Sequence, residues 1–264
     1  MGKIGRVFTT LLLQRKKAFI PFFTAFYPSI EIFKEFLLRA DDVGADFIEI
    51  GIPFSDPLAD GKAIQYSSQW AIRNNFSFSR LLEETASLKE SLDAPLILMS
   101  YFNPILQRGI VRFGREIKEA GIEGVIVPNL PFEESASFRE TLFANKVDLI
   151  YLVAPTSSPQ RIKEISRRTQ GFIYLVSLTG VTGKRERLPA NLVRYINTVK
   201  EITTKPLCVG FGISDANQAR KVADLCDGVI VGSALVSLLK GRELEKNIPQ
   251  DVEDFLRELE EVSE

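Results

Sequence analysis

The sequence predicts an α/β fold in which eight parallel strands alternate with helices and close into one (β/α)8, or TIM, barrel. Three observations lead to this prediction. Short apolar runs alternate with amphipathic segments along the whole chain. The runs are nearly continuous in apolar residues, as expected of parallel strands buried on both faces. The length of 264 residues fits one barrel, and no Pro-, Gly- or Ser-rich linker divides it, so we predict one domain over residues 1–264.

Eight apolar runs are the strand candidates. They lie at Phe19–Ala25, Asp46–Gly51, Leu96–Tyr101, Gly124–Val127, Leu149–Val153, Phe172–Val176, Leu207–Gly210 and Gly228–Val231. An open, doubly wound sheet is the structural alternative. No Gly-x-Gly-x-x-Gly fingerprint follows the first run, which weakens the dinucleotide-binding form of that alternative.

Segments with apolar residues at helical spacing separate the strand candidates. They cover Glu31–Val43, Phe78–Ser91, Val111–Ala120, Glu133–Asn145, Pro159–Arg168, Ala190–Ile202, Asp215–Ala223 and Val252–Val262. Ser158 before Pro159, and Ser214 before Asp215, are residue types that commonly begin helices. Residues Met1–Lys17 contain one short apolar stretch and no small-residue cleavage site, which predicts an additional N-terminal helix instead of a signal peptide.

The composition is that of an ordinary globular protein, and it excludes several classes of function. A net charge of -1 gives no broad basic surface for nucleic acid or anionic lipid. No window approaches the roughly eighteen apolar residues of a membrane span, so we expect a cytoplasmic protein. The chain has no histidine, and its two cysteines, Cys208 and Cys226, lie in or beside apolar runs, which predicts buried core residues and no metal site. Acid–base catalysis must then use Asp, Glu, Lys, Tyr or Cys.

Two carboxylates near the end of the second strand candidate are the strongest catalytic candidates. Glu49 lies within an apolar strand, where burial of an ionised carboxylate is costly and its pKa usually rises. Asp60 follows eleven residues later, in a loop that is long for its position and also contains two prolines. Asp60 before Gly61 also fits a simple turn or a helix cap. Because active sites of such barrels form at the carboxyl ends of the strands, both carboxylates can face one cavity.

Glycine-rich segments follow the last three strand candidates. Ser177–Gly183 precedes a charged stretch, Lys184–Arg187, and together they suit a mobile loop over an anion. Gly210–Ser214 follows the seventh strand candidate, and Val231–Ala234 opens a short helix at Leu235–Leu239. Backbone N–H groups and a helix N-terminus at this place bind phosphate in many barrels, so the pattern predicts a phosphate site.

The most specific stretch of the chain runs from Glu49 to Gly61, EIGIPFSDPLADG, and Ile64-Gln65 follows it. Further motifs are FIPFFT ending at Thr24, YFNP beginning at Tyr101, Leu130-Pro131 with Glu133-Glu134, Ala154-Pro-Thr156, the segment Tyr174–Gly183 and the glycine motifs at Gly210 and Gly232. On these residues the chain resembles the alpha subunits of tryptophan synthase over nearly its whole length.

The resemblance implies a barrel that cleaves indole-3-glycerol phosphate to indole and D-glyceraldehyde 3-phosphate by a retro-aldol reaction, with no cofactor in this chain. By this resemblance Glu49 is the main acid–base residue, Asp60 stabilises the positive charge that develops on the indole N–H, and Tyr101 orients Asp60. The indole pocket would be formed by Phe22, Met99, Ile126, Leu152, Tyr174, Phe211 and Ile230. The phosphate end would be held by Thr182, Gly183, Gly212, Gly232 and Ser233.

The residues themselves agree with this chemistry. Breaking the carbon–carbon bond requires a proton donor to the indole ring and a group that tolerates a nearby cation, and two carboxylates in different environments can divide these roles. No lysine lies at a strand end for a Schiff base, and no metal cluster is evident, so neither common class of aldolase is indicated.

The chain departs from the family pattern at four places. Lys62 replaces a proline after Gly61, Phe26-Tyr27 replaces a glycine-containing turn, Asn129 replaces an aspartate, and Leu178 stands where some members have arginine. The resemblance also implies a pyridoxal-phosphate beta subunit as partner in an alpha2-beta2 complex, bound through the loop Pro53–Asp60, with Ser177–Pro189 ordered by that partner.

Three alternative functions remain open at this stage. A stand-alone indole-3-glycerol phosphate lyase would share every catalytic residue. A phosphosugar isomerase would place its acid and base at the ends of the first and fifth strands, but Phe23–Ala25 and Val153–Pro155 contain no carboxylate. A degenerate barrel that only activates its partner would not need both Glu49 and Asp60.

Overall fold

Eight parallel strands form a closed barrel in the order of the sequence, β1 to β8. The computed structural model describes residues 2–176, 188–210 and 212–262. The strands are β1 (Ala18–Thr24), β2 (Ile48–Gly51), β3 (Leu96–Met99), β4 (Ile122–Ile126), β5 (Asp148–Val153), β6 (Ile173–Val176), β7 (Leu207–Gly210) and β8 (Gly228–Val231). All eight predicted strands are therefore confirmed, with shifts of up to two residues at their ends.

Pairing of the first strand with the last closes the barrel. β1 pairs with β8 from Ala18 opposite Gly228 to Pro21 opposite Val231, and it pairs with β2 on its other side. The open-sheet alternative is thus wrong, because a doubly wound sheet leaves two unpaired edges. Nearly every strand residue is buried, as the apolar runs predicted.

Helices surround the barrel and precede its first strand. In the described ranges they are α1 (Lys3–Gln14), α2 (Ile30–Asp42), α3 (Lys62–Arg73), α4 (Phe78–Leu88), α5 (Phe102–Arg108), α6 (Ile110–Glu119), α7 (Ala136–Ala144), α8 (Pro159–Arg168), α9 (Ala190–Ile202), α10 (Ala216–Ala223), α11 (Ser233–Leu238) and α12 (Gln250–Glu260). The additional N-terminal helix is confirmed as α1. None of the helices in these ranges has the length and apolarity to cross a membrane.

Two helices, α3 and α5, were not predicted from the sequence. The buried face of α3 has helical spacing but includes Ser67 and Ser68, so it lacks an apolar stripe. α5 is seven residues long, contains Pro104 and buries only Ile105. Both helices lie directly beside the loops that carry candidate site residues.

Side-chain caps lie at the starts of α2, α4, α8 and α10, and the last two test predicted helix starts. Ser158 accepts a hydrogen bond from the backbone N–H of Arg161, which confirms it as the first residue before α8. The prediction that Ser214 is the residue before α10, the helix that follows β7, is wrong by one residue. Asp215 is the cap there, because its carboxylate accepts from the N–H of Gln218 and α10 begins at Ala216.

Helix α1 covers the amino-terminal end of the barrel. A Cβ on Gly124 of β4 would lie 2.6 Å from Ile4 Cδ1, and one on Gly171 would lie 2.7 Å from Ile4 Cγ2. Phe8, one turn further along, stacks on Phe47 with ring centroids 5.0 Å apart. The missing side chains of the two glycines therefore make room for the helix at this end.

The two cysteines are core residues, as predicted. Cys208 in β7 and Cys226 before β8 are both buried and unbonded to each other. Burial raises the pKa of the Cys208 thiol well above its ordinary value, so it remains a neutral apolar side chain.

The packing of α1 predicts the effect of truncating its side chains. Phe8→Ala should lower the free energy of unfolding by about 3–5 kcal/mol, because it empties a buried aromatic site. Leu13→Ala on the same helix is the control, since that side chain is 82% exposed and its loss should cost less than about 0.5 kcal/mol. Urea denaturation measures both, and equal losses would contradict the packing of α1.

Candidate active site at the carboxyl end of the barrel

Glu49 lies in the barrel interior with no polar partner among the described residues. It is the second residue of β2, level with Phe22 of β1 and Ile97 of β3. Its exposure is 0%, and neither carboxylate oxygen makes a hydrogen bond in the described part of the chain. Burial, and secondarily the carboxylate of Asp60, raises the pKa of Glu49 to about 8. At neutral pH the group is therefore mostly a neutral acid.

Asp60 ends the loop between β2 and α3. Its N–H donates to the carbonyl of Pro57 at 3.0 Å, and α3 begins two residues later at Lys62. The side-chain amide of Gln65 donates to the Asp60 carbonyl at 2.9 Å. Burial raises the pKa of Asp60 to about 6, and a hydrogen bond from the Tyr101 hydroxyl opposes that rise. Asp60 therefore ionises more readily than Glu49.

Tyr101 holds the Asp60 loop from the neighbouring strand end. It follows β3 and precedes α5, and its hydroxyl accepts from the N–H of Ala59 at 2.9 Å while it donates to the Asp60 carboxylate. Its ring stacks on Phe54, with centroids 5.0 Å apart and an interplanar angle of 24°. The Tyr101 side chain thus contacts both Phe54 near the start of the loop and Asp60 at its end. From the sequence, only the family resemblance predicted that Tyr101 lies beside Asp60.

Tyr174 brings a third titratable group to the same interior. It lies in β6, and its hydroxyl fills the space beside Gly210, where a Cβ would be 2.3 Å from the oxygen. Burial, followed by the charges of Glu49 and Asp60, raises the pKa of Tyr174 well above its ordinary value. The phenol is therefore a neutral group close to both carboxylates.

Apolar side chains surround the carboxylates. The ring of Phe22 lies between two glycines, since a Cβ would be 2.4 Å from the ring at Gly51 and 2.7 Å from it at Gly232. Met99 and Ile126 are level in β3 and β4. The remaining described members of the predicted indole pocket are Leu152 in β5 and Ile230 in β8. The arrangement provides an apolar wall around an acid.

Part of the predicted phosphate end is described. Gly232 precedes α11 as its cap residue, Ser233 is the first residue of that helix, and Gly212 has a positive φ of 61° that favours glycine. Gly212 and Ser233 line one cavity of about 770 Å³. Thr182, Gly183 and Phe211, together with Ser177–Arg187 of the predicted loop over the site, lie outside the described residues.

Three of the four departures from the family pattern lie in the described residues. The side-chain oxygen of Asn129 accepts from the N–H of Phe102 at 2.8 Å, so the amide supplies an acceptor that an aspartate would also supply. Phe26 adopts a positive φ of 61° in the turn after β1. Lys62 is exposed at the first position of α3. Leu178 lies outside the described residues.

One buried contact near the site was not found from the sequence. The hydroxyls of Thr24, at the end of β1, and Ser67, in α3, are 2.7 Å apart in a hydrogen bond. No spacing rule joins residues this distant in the chain, so only the fold reveals the contact. In the described ranges no group of three or more Cys, Asp or Glu side chains is placed to hold a metal ion.

The fold and this geometry define a class: a (β/α)8-barrel protein with a pair of carboxylates at the carboxyl end of its strands. Residues 8–264 match the sequence model of the family described as Tryptophan synthase alpha chain. The chain belongs to the tryptophan synthase alpha chain family, which confirms the resemblance and places it among the lyases of tryptophan biosynthesis.

Individual relatives support this assignment over the full length. The chain is 44% identical over 264 residues to the tryptophan synthase alpha chain of Gloeobacter violaceus, covering 100% of this chain and 95% of the relative. It is 42% identical over 262 residues to that of Thermoanaerobacter pseudethanolicus, covering 99% and 100%.

Solved structures agree with the fold. The alpha subunit of tryptophan synthase from Legionella pneumophila superposes with a TM-score of 0.91 at 32% identity, covering 99% of this chain and 98% of that one. A chain of Mycobacterium tuberculosis tryptophan synthase superposes with a TM-score of 0.90 at 29% identity and the same coverage.

The raised pKa of Glu49 predicts a dependence of stability on pH. Between its ordinary value of 4.5 and about 8, the folded chain holds a proton that the unfolded chain has released, so stability falls as the pH rises through this window. Glu49→Gln should remove the decline between about pH 6 and pH 8, which is at most about 1.4 kcal/mol per pH unit, whereas Asp46 and Asp60, whose pKa values are also raised, to about 6, sustain a decline below that range. Urea unfolding at several pH values measures it.

The control for this measurement is Glu134→Gln, because Glu134 is an exposed carboxylate outside the barrel. This variant should keep the pH dependence of the wild type. If Glu49→Gln kept it too, Glu49 would not be a buried neutral acid.

Proposed function

We propose that this chain cleaves indole-3-glycerol phosphate to indole and D-glyceraldehyde 3-phosphate, as the alpha subunit of a tryptophan synthase. The observation that carries the proposal is the Glu49 carboxyl, which is fully buried, lacks a hydrogen-bond partner among the described residues and has a pKa of about 8 beside a second carboxylate. A proton donor that is neutral at physiological pH suits a reaction that begins with protonation of carbon.

In the proposed mechanism Glu49 acts twice. It first gives its proton to the indole ring carbon that bears the glycerol chain, and the ring becomes an iminium-like cation. The Glu49 carboxylate then removes the proton of the adjacent glycerol hydroxyl. The carbon–carbon bond breaks, its electron pair returns to the ring, and an aldehyde forms. Glu49 ends protonated, as it began, so the cycle needs no cofactor in this chain.

Asp60 has the complementary role. Its lower pKa of about 6 leaves it mostly ionised at neutral pH, so it can accept the indole N–H and stabilise the cation. Tyr101 holds this carboxylate in place by its hydrogen bond. The two acids thus differ in charge because Glu49 has no hydrogen-bond partner in the described part of the chain, whereas Asp60 has the Tyr101 phenol.

The remaining roles follow the resemblance and the positions of the side chains. Phe22, Met99, Ile126, Leu152, Tyr174, Phe211 and Ile230 would contact the indole ring. Thr182, Gly183, Gly212, Gly232 and Ser233 would contact the phosphate end. The N-terminus of α11 and the glycine backbone after β7 provide N–H groups suited to an anion.

We further propose a pyridoxal-phosphate beta subunit as partner in an alpha2-beta2 complex. The solved relatives include the tryptophan synthase of Mycobacterium tuberculosis. Leu58, in the loop before Asp60, is 94% exposed and is therefore accessible to a partner. The names of the relatives favour this subunit over the stand-alone lyase.

Activity of the purified chain tests the reaction. Wild type should release glyceraldehyde 3-phosphate from indole-3-glycerol phosphate in a coupled assay. Glu49→Gln and Asp60→Asn should each lower kcat/KM by about 10²–10⁴-fold, since each removes a positioned acid–base or charged group. Glu134→Gln, an exposed control, should equal wild type. No cleavage by wild type, with or without a beta subunit, would overturn the proposed function.

Stimulation by a beta subunit tests the partner. The rate of cleavage should rise and saturate as beta subunit is added. Leu58→Arg should raise the concentration needed for half-maximal stimulation by about tenfold or more, because it places a charge in an apolar contact. Leu244→Arg is the matched control, since Leu244 is 96% exposed outside this loop. Equal responses of the two variants would place the partner elsewhere.

A further inference from the structure

Helix α3 determines where the Asp60 loop rejoins the barrel. The helix begins at Lys62, two residues after Asp60, and Gln65 in its first turn donates to the Asp60 carbonyl. A proline at this first position would fix its own φ, but a lysine leaves φ free. The direction of α3 therefore depends on contacts further along the helix, and these contacts help to position Asp60 together with Tyr101.

Three polar side chains attach α3 to the rest of the barrel. Ser67 is hydrogen-bonded to Thr24 at the end of β1. The indole N–H of Trp70 donates to the carbonyl of Pro28 at 2.9 Å, in the turn after β1. Tyr66 reaches in the other direction, to the segment after α11. The first two bonds hold the middle of α3 to β1 and the turn after it, whereas the Tyr66 bond holds α3 to the segment after α11.

The bond between Tyr66 and Glu243 is part of a compact cluster. Glu243 Oε1 accepts from the Tyr66 hydroxyl at 2.8 Å and from the N–H of Gly241 at 3.0 Å. The ammonium of Lys240 lies 4.9 Å from the Tyr66 ring centroid, and the buried ring of Tyr27 meets Tyr66 edge-on at 6.2 Å. Although burial opposes ionisation, the hydrogen bonds keep the pKa of Glu243 below its ordinary value.

Glu243 lies just beyond the helix whose other end we assign to the phosphate. α11 begins at Ser233 and ends at Leu238, and α3 packs against it. The cluster thus joins the end of α11 to the helix that follows Asp60. The Glu243 carboxylate therefore links the segment after α11 to α3, the helix that follows the Asp60 loop.

We propose that Glu243 is a positioning residue, which through Tyr66 holds α3 in the direction that places Asp60 against the substrate. This inference rests on the proposed function, since it assigns Asp60 a role in the reaction. Glu243 touches neither substrate nor reacting atoms. Its effect is on the geometry of Asp60, where a small displacement has a large effect on the rate.

Kinetics of four variants test the proposal. Tyr66→Phe and Glu243→Ala each remove the bond and should lower kcat about three- to tenfold, with KM changed less than about twofold. The double variant should be no slower than Glu243→Ala alone, because that substitution already removes the bond that Tyr66→Phe removes. Glu243→Gln retains an oxygen acceptor and should recover most of the rate. Independent, multiplying effects, or no effect on kcat, would overturn the proposal.

Tyr151→Phe is the matched control. Its hydroxyl is also hydrogen-bonded to a side chain, that of Ser135, but it lies in β5 away from α3. If it lowered kcat as much as Tyr66→Phe did, the loss would reflect general destabilisation instead of positioning. Thermal unfolding of both variants shows whether their stabilities are comparable.

Hydrogen exchange of the substrate-free chain separates this inference from the proposed function. Tyr66→Phe should accelerate exchange of the backbone amides in residues 58–66, whereas Glu243→Gln and Tyr151→Phe should not. If Tyr66→Phe accelerates this exchange but the wild-type chain cleaves no substrate, the anchoring of α3 is upheld and only the proposed reaction is overturned. Unchanged exchange would overturn the anchoring, whatever the activity.

Discussion

A carboxyl group without a hydrogen-bond partner among the described residues, inside a closed barrel, is the constraint on which the site depends. Glu49 is fully buried inside the barrel that β1 and β8 close, and no cation shifts its pKa among the described residues. Such a group is tolerated mainly in its neutral form, because an isolated buried charge is far more costly. Its neighbours are accordingly an apolar ring, Phe22, and a neutral phenol, Tyr174.

Asp60, the second carboxylate, shows how the fold gives two chemically similar groups different pKa values. Asp60 sits on a loop instead of a strand, where the Tyr101 hydroxyl can reach its carboxylate. Both pKa values rise through burial, but among the described residues only Asp60 has a donor that opposes the rise. A difference of this kind gives one acid and one anion at the same pH. It arises from position in the fold and not from residue type.

The sequence predicted the elements whose pattern is local. Runs of apolar residues located all eight strands, and helical spacing located the helices with continuous apolar faces. Glu49 stood out because a charged residue in such a run is unusual. α3 was not predicted, because Ser67 and Ser68 occupy its buried face, and they are accommodated only through a partner at Thr24. Contacts such as Tyr66 with Glu243 join residues 177 positions apart, and no local pattern encodes them.

Helix α1 has a consequence for the passage of molecules through the barrel. Ile4 and Phe8 occupy the amino-terminal end, so a ligand of the interior has to enter and leave at the carboxyl end. Substrate and product then use the same opening, beside the loop that carries Asp60. A product that lingers there excludes the next substrate. Because the barrel interior opens only at the carboxyl end, turnover depends on how the product is removed there as much as on the reaction itself.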